Sequence, residues 1–406
     1  MTSSHSPVHP VRHWLGILAV FLRLGLTSFG GPVAHLGYFR EAFVTRRGWL
    51  DERGFADLVA LSQFLPGPAS SQVGLGIGFA RGGIPGAIAA WLGFTLPSAV
   101  ALAAFGYGLA ALGGAEAQPW LHGLKVVAVA VVAQAVWGMA RRLTPDVPRV
   151  SVAVAAAIGV LMWPSSLGQV VVIILGALAG RLVLPQPDVP RASPIGLRAG
   201  RTTGAAALLT FAVLLLGLPL AAEAIPAQTL RVADAFYRAG SLVFGGGHVV
   251  LPLLQSAVVT PGWVTQEHFL AGYGAAQAIP GPLVSFAAFL GTVMTVPPQG
   301  WLGAALCLVA IYVPSFLLII GMLPFWEVLR RIHTVQSALL GVNAAVVGLL
   351  LAALYDPVWR SAIRSPMDFA LALAAFTLLV FWRVPPWLVV LLTAAGGTVS
   401  AFLPLG

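Results

Sequence analysis

The sequence predicts an all-α polytopic membrane protein of two homologous halves, arranged as inverted repeats with proline-broken helices and about 10–13 membrane segments. Three observations predict it. The chain of 406 residues is 58% hydrophobic and 9% charged, with a mean hydropathy of +0.91; a soluble domain carries about a quarter charged residues. Its apolar stretches are continuous and about 20 residues long, the length a helix needs to span a bilayer, where a β-barrel would show alternating tens. One set of rare residues also occurs twice, in the same order and at a near-constant spacing.

In chain order, apolar segments run over residues 14–31, 55–80, 84–112, 121–140, 150–164 and 166–184, then 204–222, then 235–258, 268–296, 299–325, 335–354, 367–383 and 386–405. Residues 1–184 make the N-terminal repeat half and 226–406 the C-terminal one. Between them, 185–225 join a polar linker to one extra membrane helix. The linker, Pro185 to Thr203, is rich in Pro, Arg and Ser and has no apolar period. Met1 to Pro10 is polar, and no small-residue cleavage site follows a short apolar core, so the first apolar segment is expected to be retained.

The repeat rests on particular residues. Phe21, Arg23, Gly25 and Phe29-Gly30-Gly31 recur as Phe236, Arg238, Gly240 and Phe244-Gly245-Gly246, position 236 against 21, an offset of 215. Trp49, Phe55, Gln63 and Pro66-Gly67-Pro68 recur as Trp263, Phe269, Gln277 and Pro280-Gly281-Pro282, 263 against 49, an offset of 214. Gly86-Ala87 and Pro97-Ser98 recur as Gly303-Ala304 and Pro314-Ser315, 303 against 86, an offset of 217. If every segment crosses once, the odd seventh helix turns the second half upside down; one re-entrant segment per half would instead leave the halves parallel. The arginines of 141–149, 181–201 and 326–334 fall on one face in the thirteen-crossing count. The 32–54 stretch, with Arg40, Arg46, Arg47 and Arg53, falls on the other and conflicts with the positive-inside rule.

The net charge of +9 sits in short loops, which speaks for topology rather than for a nucleic-acid partner. Cys307 is the lone cysteine, so no internal disulfide forms. The sequence has no Walker A run, no paired-His metal motif and no Gly-x-Ser-x-Gly elbow, and its eight His are scattered. The expectation is a transporter rather than an enzyme, without cofactor or metal, driven by an ion gradient.

Two features carry chemistry. Arg23 and Arg238 lie inside apolar segments, where an ion faces a cavity or partner unless it snorkels to the interface. Their guanidinium forks suit an oxyanion. Pro66-Gly67-Pro68 and Pro280-Gly281-Pro282 must break their helices, and a broken helix at membrane depth is either a buried kink or the wall of a wet cavity. Ser70 and Ser71 would then open a half-helix whose amides attract anions, with Gln63 and Gln277 preceding the breaks. Gly30, Gly31, Gly245 and Gly246 serve close packing or gating. Lys125, opposite Asn343 in the repeat, is a further candidate cation, and Asp57, His35 and His248 are candidate proton carriers.

At these residues the sequence resembles the chromate ion transporter family in its long, two-domain form. The resemblance rests on 21–31, the Trp49 to Phe55 stretch, Gln63 to Gln72 and Gly86 to Ser98, repeated at 236–246 and 277–282, and spans nearly the whole chain except the linker. Gly247-His248 departs from Pro32-Val33, and Leu283-Val284 from Ala69-Ser70. The resemblance implies a secondary transporter that exports chromate across the bacterial inner membrane, is driven by the proton-motive force and confers chromate resistance. Sulfate is the natural competitor, and a sulfate importer or exchanger on the same fold is the alternative. The bilayer is the implied surrounding, with a monomer or homodimer as the assembly. The residues alone reach only a small oxyanion held near the midplane by Arg23, Arg238, the half-helix amides and Ser70-Ser71.

Overall fold

The computed structural model describes residues 10–111, 119–184, 200–244 and 246–402. Most of the expected linker (185–199) and Gly245 lie outside the described residues. Helices form throughout, and no strand occurs among the described residues.

Helix α1 (Pro10–Thr27) stops at the Gly30-Gly31-Pro32 break. The chain then folds back as α2 (Gly31–Phe39) and a wide helical turn, Arg40–Thr45. Phe39 and Phe43 return to within 5.7 and 4.9 Å of the Phe21 ring. The 32–54 stretch is therefore largely helical, and its aromatic stripe packs on α1. Helix α3 (Glu52–Phe64) starts on its Asp51 cap and ends before Pro66. Helix α4 (Ala69–Ala111) has two limbs, 69–81 and 84–111, separated by non-helical Gly82-Gly83. Its first limb doubles back on α3, with Leu58 against Gly76. Its second doubles back again, with Gly78 against Gly86.

The first half closes with α5 (Pro119–Leu143), α6 (Val147–Met162) and α7 (Ser166–Val183), and α8 (Arg201–Ala224) follows alone. The second half repeats the plan. Helix α9 (Gln228–Ser241) turns through Gly247–Val249 into α10 (Val250–Val258), and α11 (Gln266–Ala276) turns through Leu283–Ser285 into α12 (Phe286–Val293). Then come α13 (Gly300–Met322), the short α14 (Trp326–Leu329), α15 (His333–Ala353), the short α16 (Arg360–Ala362), α17 (Pro366–Val380) and α18 (Pro386–Phe402).

The expected segments 55–80, 235–258 and 268–296 are thus hairpins of short helices, not single crossings. A hairpin returns the chain to its starting face, so it never changes parity. The long limb of α4, with α5, α6 and α7, leaves an even count per half, and α8 adds one crossing. The halves are therefore inverted, and two contacts agree with that count. The Trp301 amide donates to the Tyr107 hydroxyl at 3.0 Å on one face, and Arg330 pairs with Asp57 at 3.2 Å on the other. The hairpin also removes the charge conflict. Arg40, Arg46, Arg47 and Arg53 come back to the face that carries Arg141, Arg142, Arg149, Arg181, Arg330 and Arg331.

The halves interlock rather than stand apart. Helix α5 packs on α17 and α18, and α15 packs on α6 and α7. Gly123 meets the Thr393 backbone, and Gly180 meets those of Ser337 and Gly341. Within each half, Gly25 presses on the backbone of Gly93-Phe94, and Gly240 on that of Ile311, so the glycine of each Phe-x-Arg-x-Gly run lets two membrane helices touch.

Candidate functional site: a cavity where four hairpin tips meet

Each half sends two hairpin tips into the centre of the molecule. The Gly67 amide donates to the Val243 carbonyl at 2.6 Å, and the Gly281 amide donates to the Ser28 carbonyl at 3.0 Å. Gly67 and Gly281 are repeat partners, as are Ser28 and Val243, so the two bonds are one contact made twice. Both glycines sit at positive φ, 127° and 107°, a region side chains rarely enter. Proline on either side supplies no competing amide. That combination explains why Pro-Gly-Pro stands at both breaks.

A cavity of about 530 Å³ opens beside the tips. Gly30, Gly31, Gly67, Gly246 and Gly281 line its inner end. A helical stripe of α5 forms one wall: Val131, Gln134, Ala135, Gly138, Met139 and Arg142. Because α5 runs outward to Arg142 and Leu143, the cavity extends from mid-membrane toward the arginine-rich face.

Its electrostatics come mainly from the backbone. Helices α2 and α4 and the turns leading into α10 and α12 all begin at the tips, and Gly31, Ala69, Gly247 and Leu283 line the cavity. First-turn amides have no partner within their helix and carry the positive end of its dipole. Two of the carbonyls at the facing helix ends, Ser28 and Val243, are already covered by the glycine amides. Gln63, Gln277, Gln134, Asn343 and Ser62 add neutral polar groups, with His248 at the tip and Arg142 at the mouth. The Gln277 amide nitrogen and the Ser62 hydroxyl have no protein partner. His248 Nδ1 lies 2.8 Å from the Tyr273 hydroxyl. This arrangement can receive a small anion through hydrogen bonds and attract it by the guanidinium at its mouth.

The sequence-predicted residues divide sharply. Gln63, Gln277, Gly30, Gly31, Gly67, Gly246, Gly281 and His248 line the cavity, and Pro66, Pro68, Pro280 and Pro282 shape its tips. Arg23 and Arg238 do not line it. Arg23 is exposed on α1. Arg238 is also exposed and is paired to Asp234 on its own helix at 2.6 Å. A motif spacing cannot tell which side of a helix meets its neighbour: Gly25 and Gly240 take the packed faces and turn the arginines outward. Ser70 is buried against His35 Nδ1 at 3.3 Å, and Ser71 against Tyr312 at 3.4 Å. Lys125 is buried in α5 away from the cavity, while Asn343, its repeat counterpart, lines it. Asp57 is engaged by Arg330. Sequence reasoning missed Gln134, though it is the only polar residue between Lys125 and Trp137. It also read Arg142 only as a topology signal. Among the described residues no three His, Cys, Asp or Glu side chains gather as metal ligands would.

Interlocked inverted halves around a polar, membrane-depth cavity define a polytopic helical protein of transporter type. The chain belongs to the chromate transporter family, which matches residues 15–181 and again 230–398, one copy per half. Its relatives include a chromate transport protein of Pseudomonas aeruginosa, 28% identical and covering 96% of this chain and 92% of that one. Another, from Cupriavidus metallidurans, is 26% identical, covering 97% and 94%. A probable chromate transport protein of Synechococcus elongatus is 26% identical over 97% of both chains. No solved structure matches the chain.

Proposed function

We propose that this chain exports chromate across the bacterial inner membrane, driven by the proton-motive force, and thereby lowers chromate toxicity. The cavity carries this reading. By the positive-inside rule the arginine-rich face is cytoplasmic, so the cavity opens toward the compartment from which an exporter loads. Arg142 would draw the dianion in, and the amides at Gly31, Ala69, Gly247 and Leu283, with Gln63, Gln134 and Gln277, would hold it. His248 is the proposed proton carrier, because it alone among the three expected carriers lines the cavity. Sulfate, of like shape and charge, is the expected competitor.

The test is uptake of chromate by everted membrane vesicles containing the full chain. Accumulation that an uncoupler abolishes and sulfate reduces is the expected result. Uptake that persists without a proton gradient would remove the proposed coupling. Efflux of chromate from the same vesicles under the gradient would reverse the direction in favour of an importer.

A further inference from the structure

Behind the hairpin tips lies a second polar site, assembled from both halves. Ser71, Thr95 and Ser98 come from the first half, and Ser285, Tyr312 and Ser315 from the second. They are repeat partners: 71 pairs with 285 at an offset of 214, and 95 with 312 and 98 with 315 at 217. A hydroxyl stands at all six positions, although Thr95 and Tyr312 share nothing else. All six residues are at least 96% buried.

They converge on one point. The Ser98 and Ser285 hydroxyls are 2.6 Å apart, and those of Ser71 and Tyr312 are 3.4 Å apart. The Thr95 and Ser285 hydroxyls adjoin that of Tyr312. A Cβ built on Gly67 would come within 2.7 Å of the Ser315 hydroxyl, and one on Gly281 within 2.9 Å of that of Ser98. The cluster therefore touches both tips. Ser71 and Ser285 are each the third residue of a helical start, so the first turn of α4 and the turn leading into α12 face the cluster from opposite halves.

The Ser315 hydroxyl has no partner, and the Thr95 hydroxyl has only that of Tyr312 beside it. A buried hydroxyl without a partner costs on the order of 1–3 kcal/mol, so the Ser315 orphan points to a ligand that completes the cluster part of the time. No carboxylate belongs to the cluster, and the nearest tip carbonyls, Ser28 and Val243, already accept the glycine amides. Hydroxyl donors beside the first turn of α4, with no carboxylate among them, suit an anion better than a cation.

We propose that the six hydroxyls form an anion station on the permeation path, just beyond the closed end of the cavity. In the present conformation the hydroxyls bond one another and shut the path. A passing oxyanion exchanges those bonds for hydroxyl–anion bonds and is held there while neither face is open. Beyond the station, Phe105 stacks on Phe289 at 5.7 Å and Thr292 packs on Gly106, sealing the opposite face. This inference rests on the reading of the chain as an anion transporter.

The purified full-length chain tests it in two assays, with wild type, Ser98→Ala/Ser285→Ala and Thr95→Val/Ser315→Ala. The first is binding of chromate, sulfate, chloride or sodium followed by tryptophan fluorescence, since Trp91 lies 5.7 Å from Tyr312. The second is chromate uptake by proteoliposomes. The expected result is anion binding weakened at least ten-fold in both variants, with uptake slowed mainly through kcat while the entry cavity keeps its KM. Ser361→Ala, at the opposite face, serves as the folding control and should behave as wild type. If wild type transports chromate and both variants match it in binding and kcat, the station is overturned and the transport reading stands. If wild type moves no chromate but binds chloride in a serine-dependent way, the transport reading fails and the station stands. Serine-dependent binding of sodium alone overturns the anion assignment.

Discussion

The walls built by α5 and α15 are repeat counterparts, yet one is open and the other shut. On α5, Val131, Gln134 and Ala135 face the cavity. Their partners on α15, taken from Lys125 and Asn343 (343 against 125, an offset of 218), are Leu349, Ala352 and Ala353, none of which lines the cavity. The tips differ in the same sense. After Pro68 a regular helix begins at once with Ala69, Ser70 and Ser71, whereas after Pro282 a tight turn, Leu283–Ser285, precedes α12. His248 takes the cavity position that Val33 takes in the first half. In an inverted pair, exchange of conformations between the halves would close the α5 wall and open the α15 wall on the opposite face. The asymmetry is therefore what alternating access requires, with a titratable group placed in one half only.

The largest expected effect breaks or confirms this exchange directly. Cys307 is the sole cysteine and is buried, so added thiols report cleanly. Gln134→Cys should react with a membrane-impermeant maleimide applied from the arginine-rich face, while Ala352→Cys should be protected from both faces. Under turnover, labelling of Ala352→Cys from the opposite face should rise and that of Gln134→Cys should fall. Labelling that never exchanges between the two positions would end the comparison.

Next in size are the tips. Alanine at Gly67 or Gly281 meets a backbone conformation that costs on the order of 1–3 kcal/mol. Gly67→Ala should lose more, because its Cβ would meet both the Gln72 side chain and the Ser315 hydroxyl, whereas Gly281→Ala meets mainly Ser98. Thermal unfolding in detergent measures the difference, and equal losses would mean the tips are energetically alike.

Smaller still are the polar walls. Gln134→Ala should raise the KM for chromate about ten-fold, the worth of one hydrogen bond to an anion, with little change in kcat. His248→Val copies the first half and should uncouple uptake from an imposed proton gradient without loss of folded protein. Transport by that variant that still follows the gradient would assign the proton elsewhere.

The smallest effect concerns the residue that the sequence made most prominent. Arg23→Lys removes a guanidinium fork that suits an oxyanion, yet should leave uptake within about two-fold, because Arg23 is exposed and off the cavity. A severe loss would return Arg23 to the pathway in another conformation.

The duplicated Pro-Gly-Pro, its two glutamines and the glycine runs were legible because their chemistry is local. Two prolines break a helix whatever surrounds them, and a repeat offset survives any packing. Membrane class, repetition and the tips followed from such local facts. The facing of Arg23 and Arg238 did not. It depends on which side of α1 and α9 the neighbouring backbone approaches, and Gly25 and Gly240 decide that. The helical return of 31–45 was hidden because a charged stretch with widely spaced aromatics reads as a loop until Phe39 and Phe43 find Phe21. The hydroxyl cluster was hidden more deeply. Its six residues lie up to 244 positions apart (315 against 71), and a lone Ser or Thr in an apolar helix satisfies itself on its own backbone as readily as it builds a site. Sequence by itself determined that helices must break at two glycines inside a membrane. Only the tertiary structure brought the broken ends together, because the bonds that hold them run from each half to the other.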